Sequence, residues 1–438
     1  MKKIIIFSLL SLIVFSGCEK DSVNLIDGQK PEERVSEALT NLSDKLTGSE
    51  HGWKAYLYPE GGGGYSFYLD FTKENRVTMY ADLDYDPAMN SMESSYSLKG
   101  AQTPLLSFDT YNYMHILADP HPNTFGGVAG WGVYSDFEFS FNEERGDTLK
   151  LTGKLLDSKL VLVKATQEEK ASYNNEGLFN SVSTAVNYIS QRPNLYISVG
   201  DETRVKTTVN FSTKVLSLTW EANGEVSTLT SPFVFTLTGI LLRDPLDYKG
   251  NTISEFKWDA DRSEYFALVG EERINLLVSS TPILPLHILL GVDFSTIIVP
   301  KATSYPGWSA DFQVRRAAAA QAMLAGRYTL QLDDMEFEFN IIQKTLNITV
   351  WLLQGSSWYT GIFPYTYEKT PSGTFKFTPG EPASNAALIV NDMAPLTKQR
   401  LDVDHFTLDY LTHPTTGETL GQFKSVEHPD FTFAGALQ

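Results

Sequence analysis

Two periods of apolar residues alternate along this chain of 438 residues. The first is helical. In PEERVSEALTNLSDKL, which begins at Pro31, Val35, Leu39, Leu42 and Leu46 recur on one face. Glu32 and Glu33 sit in the first turn, where the helix dipole favours acids, and Gly48 ends the element. The period then falls to two, the mark of strands with one face in a core. HGWKAYLYP (51–59), YSFYLDF (65–71) and RVTMYADL (76–83) predict a hairpin meander that turns at Gly61–Gly64. Further strands are expected at Leu105–Phe108, Tyr113–Leu117, Asp136–Phe141, Thr148–Leu151 and Lys159–Val163. A glycine-rich loop from Phe125 to Gly132 lies among them.

The succession of helix and meander returns twice. Leu178, Val182, Val186 and Ile189 are helically spaced within Gln167–Ser190, and Pro193 closes that stretch. Strands are expected at Leu195–Val199, Thr207–Phe211, Val215–Trp220 and Phe233–Leu241. RRAAAAQAMLAGRY (315–328) predicts a third helix on its four alanines. FEFNII, LNITVWLL, YTYEK, TFKFTP, AALIV, FTLDYL, GQFKSV and FTFAGAL then read as strands to the end.

Ala118-Asp119-Pro120 leading to Asp136-Phe137-Glu138-Phe139 is echoed by Arg243-Asp244-Pro245 leading to Glu255-Phe256-Lys257-Trp258. Each follows a strand opened by a proline, Pro104 or Pro232, which reads as a degenerate internal repeat. The expected fold is mainly β (α+β), with antiparallel meander sheets in two or three helix-led units. The expected domains are 31–165, 166–308 and 309–438.

The N-terminus follows neither period. Lys2 and Lys3 precede an apolar run from Ile4 to Phe15, too short for a mature membrane span. Phe15-Ser16-Gly17-Cys18 then places small residues before a cysteine. Residues 1–17 are expected to be a signal peptide, Cys18 the lipidation site, and 18–30 a lipidated polar tether. Cys18 is the one cysteine, so the exported body has no disulfide and relies on its core. The expected address is the outer membrane, reached through the N-terminal lipid. Glu19, Lys20 and Asp21 resemble the surface-export signal of Bacteroidetes lipoproteins, which implies a body facing the cell exterior. Loss of Lys2 and Lys3 takes the net charge from −18 to −20. Such an acidic surface repels phosphate backbones and argues against a nucleic-acid partner.

Asp82, Asp84, Asp86, Asn90 and Glu93 stand at positions one, three, five, nine and twelve of a calcium-type loop, in which alternating oxygens wrap a hard cation. Calcium is the candidate cofactor. Pro87 stands where such loops turn on glycine, and an exposed acidic loop is the plainer reading. His115, Asp119 and His121 are close in sequence, but Pro120 and Pro122 favour a stiff turn over a zinc site. Gly61–Gly64 lacks a following Gly-Lys-Ser/Thr, and no GxSxG elbow occurs. Acylation of Cys18 excludes a cysteine nucleophile. Trp131 and Tyr134 in one glycine-rich loop, and Tyr65 and Tyr68 near another, are the ligand-binding candidates. Such rings stack on sugars or peptide side chains when exposed, although core packing is their commoner fate. Trp131 stands out because its loop has few apolar neighbours.

PLLSFDTYNYMHILADP, DFEFSF and LKLTGK, behind the HGWKAYLYP hairpin, resemble a family of Bacteroidetes lipoproteins catalogued only as a domain of unknown function. FTLDYL with LGQFKSVEHPDFTFAGAL resembles the same family's ending. The family brings no catalytic residues. The resemblance implies an accessory lipoprotein of nutrient-import loci that carry a TonB-dependent transporter and its lid lipoprotein, of the SusC/SusD type. The expected function is a non-enzymatic surface component that binds a ligand or partner at such an importer, with a glycan or peptide as ligand. The alternatives are an exported hydrolase acting on glycans or peptides and a structural partner without a small ligand. Convergent carboxylates would mark the first, and a flat apolar patch without a pocket the second.

Overall fold

The computed structural model describes residues 30–438 apart from 201 and 202, so the expected signal peptide, Cys18 and most of the tether lie outside the described residues. The chain begins with helix α1 (Pro31–Thr47), which lays Leu42 and Leu46 on the first barrel. That barrel has eight strands: β1 (Trp53–Tyr58), β2 (Tyr65–Phe71), β3 (Arg76–Ala81), β4 (Met92–Lys99), β5 (Leu105–Phe108), β6 (Glu138–Arg145), β7 (Thr148–Gly153) and β8 (Lys159–Lys164). Each pairs antiparallel with its chain neighbour, and β1 meets β8 from Trp53↔Lys164 to Tyr58↔Lys159, closing the ring. Alternation drives closure: Ala55, Leu57, Phe67, Leu69, Val77 and Leu162 fill the core. The surface carries ion pairs such as Lys99–Glu138–Lys154 and Arg76–Glu93. A lipid-facing barrel has the reverse pattern, apolar outside and polar within.

Three short helices interrupt the barrel's hairpins: α2 (Tyr85–Met89) between β3 and β4, then α3 (Tyr113–Ala118) and α4 (Pro122–Phe125) between β5 and β6. Two more, α5 (Gln167–Asn174) and α6 (Gly177–Ser190), lead into the middle sheet. Its strands are β9 (Leu195–Val199), β10 (Thr203–Asn210), β11 (Val215–Ala222), β12 (Glu225–Thr236), β13 (Gly239–Tyr248), β14 (Asn251–Asp259), β15 (Glu264–Val269), β16 (Glu272–Asn275) and β17 (Leu277–Val278). It is an antiparallel meander, with β17 returning to β9, and Leu178, Val182 and Ala185 of α6 pack in its core.

A second closed barrel follows helix α7 (Leu286–Leu289). It begins with β18 (Thr296–Val299), continues through helix α8 (Ala310–Ala325), and then runs β19 (Gln331–Asn340), β20 (Thr345–Gln354), β21 (Ser357–Lys369) and β22 (Thr374–Pro379). Helix α9 (Asn385–Ile389) and a π-helical turn (Thr397–Leu401) precede β23 (His405–Thr412), β24 (Thr419–Ser425) and β25 (Thr432–Leu437). β18 pairs with β25 at Ile297↔Leu437. Stacked phenylalanines fill the interior, with Phe423 and Phe433 centroids 4.6 Å apart. Among the described residues no helix is long and apolar enough to cross a membrane.

The antiparallel β-rich class agrees with the sequence, but several elements differ from expectation. Tyr113–Leu117 forms a helix, not a strand. Asn112 accepts hydrogen bonds from Met114 N (2.9 Å) and His115 N (3.4 Å), capping a turn that buries Tyr113, Met114 and Leu117. AALIV is likewise helical, with Ala386 and Ile389 buried one turn apart. Phe233–Leu241 is two strands, because the chain reverses between Thr236 and Gly239. Gln167–Ser190 breaks at Glu176, which adopts φ 62°. The third helix, α8, follows the first strand of its barrel instead of leading it. The internal repeat does not hold: Ala118-Asp119-Pro120 leaves a helix, whereas Arg243-Asp244-Pro245 lies within β13 at a register shift.

The first barrel and the middle sheet meet along a polar seam set in apolar walls. Asp82, its side chain wholly buried, accepts hydrogen bonds from Ser66 N (2.8 Å), Phe235 N (2.9 Å) and Lys214 Nζ (3.0 Å). Lys214 is also buried, with its ammonium 4.4 Å from the Phe235 ring centroid. Burial pushes the lysine below its ordinary pKa, and Asp82 opposes that shift. Beside the pair, a Cβ on Gly64 would lie 2.6 Å from Phe233 O, so the close approach of the two sheets requires glycine there.

Candidate functional site

The connection between β5 and β6, from Asp109 to Phe137, is the longest excursion from the first barrel. Buried polar residues pin both ends. Asn112 caps α3 and donates through Nδ2 to Ser94 Oγ (2.9 Å). At the other end the buried Asp136 carboxylate accepts from Leu155 N (2.8 Å), Leu156 N (3.1 Å) and Ser158 N (3.2 Å). Between these anchors the backbone closes on itself: Val128 N donates to Gly132 O (2.8 Å) and Val133 N to Leu117 O (3.0 Å). Gly132 has φ 58°, and a Cβ there would meet Leu117 O at 2.5 Å, so the fold of the loop depends on this glycine.

The loop presents Trp131 and Tyr134 side by side. Their rings are 6.0 Å apart and inclined by 18°, and Trp131 remains 49% exposed. Tyr134 reaches this position through a left-handed backbone, φ 56°. Glu60 N donates to Tyr134 O (3.2 Å), tying the loop to the Gly61–Gly64 turn. The same excursion carries a second stack. His115 lies between Tyr111 (5.7 Å) and Phe137 (4.5 Å), and both outer rings are exposed. Tyr111 Oη donates to Asp119 Oδ2 (2.8 Å), and His115 Nδ1 faces Asn112 Oδ1 at 3.0 Å. Burial lowers the His115 pKa, which favours the neutral form of the ring within the stack. Flat rings held by a rigid backbone can stack on a sugar face or a planar side chain with little loss of side-chain entropy.

The other aromatic candidates separate from this surface. Tyr65 is 5% exposed and packs edge-on to Phe125 at 5.6 Å, and burial pushes its phenol up to about 12. Tyr68 is 2% exposed, stacks on Tyr173 at 4.7 Å and donates to His51 O (2.8 Å). Both belong to the packed interior. Alternation in β2 sets Tyr65 with Phe67, Leu69 and Phe71 in the barrel core, whereas Tyr68 lies on the opposite face and is buried by the middle unit, which the local pattern does not show. The sequence offers His115 only as a metal ligand, and reading Tyr113–Leu117 as a strand hides its stacking with Tyr111 and Phe137.

The calcium-loop residues do not converge. Asp82 is committed to the seam with Lys214, and Asp84 Oδ1 accepts from Tyr85 N (2.7 Å) at the start of α2. Asp86 accepts from Asn90 Nδ2 (2.7 Å), while Glu93 pairs with Arg76 (2.8 Å). Pro87 lies inside the short helix that replaces the loop. His115, Asp119 and His121 serve local turns, with Asp119 accepting from His121 N (2.9 Å) and His121 Nδ1 from Asn123 N (3.3 Å). Among the described residues no three His, Cys, Asp or Glu side chains gather as a metal site.

Two closed, apolar-filled barrels around an open meander, with a pinned aromatic excursion, define an antiparallel β protein of multiple sheets. The chain belongs to the family described as "Domain of unknown function (DUF4302)", whose profile matches residues 28–260. That span holds the first barrel and the middle sheet through β14, and the likeness read in the C-terminal strands lies beyond it. No curated protein matches the chain. Among solved structures, it is similar to the isotype 1 transferrin binding protein B from serogroup B Neisseria meningitidis at 11% identity, covering 88% of this chain and 76% of that one. The TM-score is 0.13, so the two chains do not superpose as wholes.

Proposed function

We propose that the protein is a non-enzymatic, lipid-anchored surface lipoprotein that uses the aromatic face of residues 109–137 to hold a ligand or partner at a TonB-dependent nutrient importer. The observation that carries this reading is the exposed Trp131–Tyr134 stack on a backbone fixed at both ends by buried Asn112 and Asp136. A solvent-facing tryptophan on a rigid loop costs solubility without adding to the core, and binding surfaces are where such rings are retained. The importer setting, the SusC/SusD-type neighbours and the outward-facing lipid anchor come from the Bacteroidetes resemblance and from the Cys18 signal.

The test compares purified wild type and Trp131→Ala by thermal melting and by binding to outer-membrane extract from the native host. The expected result is an unchanged Tm with weakened binding. A large fall in Tm would identify Trp131 as a packing residue, and unchanged binding would remove the aromatic face from the function.

A further inference from the structure

The second barrel carries an aromatic cleft of its own, outside the span matched by the family. Where β20 turns into β21, Tyr359 faces Tyr328 from the loop after α8, and Asn385 and Leu388 of α9 close the side. The cleft has a volume of about 160 Å³ and is floored by the buried Leu330 and Leu352. Its polar lining is neutral. Asn385 Nδ2 donates to Thr360 O (3.0 Å) and Gln354 Nε2 to Tyr328 O (2.9 Å), which fixes both amides and leaves Oδ1 and Oε1 as free acceptors. Among the described residues the Tyr328 and Tyr359 hydroxyls have no hydrogen-bond partner. The loop holding Tyr328 is strained at Thr329, a β-branched residue at φ 51°. The Arg327 guanidinium lies over the Tyr328 ring, 5.5 Å from its centroid.

We infer that this cleft binds one ring of an uncharged saccharide. Apolar ring faces beside unpaired neutral donors and acceptors match a sugar, whose C–H face is apolar and whose edge is hydroxyl-rich. No cationic side chain lines the cleft itself, and the Arg327 guanidinium beside it is engaged over the Tyr328 ring. The volume equals about five waters and is below the roughly 300 Å³ of a drug-sized pocket, so one ring enters and the rest of a chain extends outward.

The full chain would be titrated, with saturation-transfer NMR and calorimetry as readouts, against methyl glucoside, methyl mannoside and methyl galactoside. Their linear hexasaccharides and glucuronate would be added to the panel. At least one neutral sugar should bind, its hexasaccharide more tightly, and glucuronate should fail. Tyr359→Ala or Asn385→Ala should weaken binding about tenfold with unchanged Tm, the scale of one lost contact. Tyr359→Phe, which keeps the ring, separates stacking from folding and should retain most of the affinity. Absence of any neutral-sugar binding at tens of millimolar would overturn the inference. So would equal binding of glucuronate, or binding abolished by Trp131→Ala but untouched at Tyr359 and Asn385. Binding of liposomes or detergent in place of sugar would reassign the cleft as an apolar docking point.

Discussion

Replacing Asp82 by alanine perturbs the seam between the first barrel and the middle sheet at its most buried polar point. The carboxylate holds two backbone N–H groups, Ser66 and Phe235, and the Lys214 ammonium. Removal leaves a buried lysine with the Asp82 carbonyl, 3.1 Å away, and aromatic faces as its remaining partners. Breaking a buried pair from one side costs about 3–5 kcal/mol, and orphaned amides add about 1–3 kcal/mol each, not additively. The expected loss is about 5 kcal/mol, or about 2 M in the urea midpoint at a slope of about 2.5 kcal/mol/M. Lys214→Met should cost less, about 2 kcal/mol, because Asp82 keeps two charge-assisted backbone bonds. In the Lys214→Met background, Asp82→Ala should be about 2–3 kcal/mol milder, since no cation is stranded. The Lys214 pKa is lowered in the fold, so the folded state binds fewer protons in that range. Its own titration therefore favours folding as pH rises from the folded value towards the ordinary lysine value. The assay is urea unfolding of the four proteins. An Asp82→Ala loss below about 1 kcal/mol, or the same loss in both backgrounds, would refute the buried pair.

Three further outcomes follow from the same geometry. Tyr68→Ala should lose about 3–5 kcal/mol in chemical denaturation while Trp131→Ala loses under about 0.5 kcal/mol, and equal losses would contradict the division between core and surface. Glu138, held by Lys99 and Lys154, has its carboxyl lowered to about 2. At 23% exposure solvent screens the network, so Glu138→Gln should cost about 1 kcal/mol at pH 7. A depressed carboxyl stabilises above its unfolded pKa, so this gap should close as pH falls from about 4.5 to about 2, read by denaturation at stepped pH. Millimolar calcium should leave Tm unchanged, because Asp82, Asp84, Asp86 and Glu93 are already engaged; a rise of several degrees would restore the metal loop.

Strand periodicity was legible where both flanks were clear: in LNITVWLL buried and half-buried positions alternate, and YSFYLDF reads as a strand although both of its faces are buried. It failed where an apolar run is short. Tyr113, His115 and Leu117 alternate like a strand, yet Tyr113, Met114 and Leu117 are the buried set, and the Asn112 cap decides for helix. Barrel closure was not legible, since the pairing of β1 with β8 spans the unit and leaves no local trace. The Asp82–Lys214 pair was hidden for the same reason: the residues are separated by 132 positions, and only the packed sheets bring them together. The acidic spacing from Asp82 to Glu93 suggested a cation, but it could not reveal that a helix and a buried lysine claim the same oxygens. Trp131 was legible because its neighbours are glycine and small residues that offer no core to enter.

The central claim, an accessory binding lipoprotein at an importer, is tested most directly by gentle extraction of the native protein and its Trp131→Ala variant from the same membranes, with quantification of what accompanies each. The account predicts that a TonB-dependent transporter and its lid lipoprotein accompany the wild type and are depleted with the variant. Isolation of the wild type alone from well-preserved membranes would contradict it.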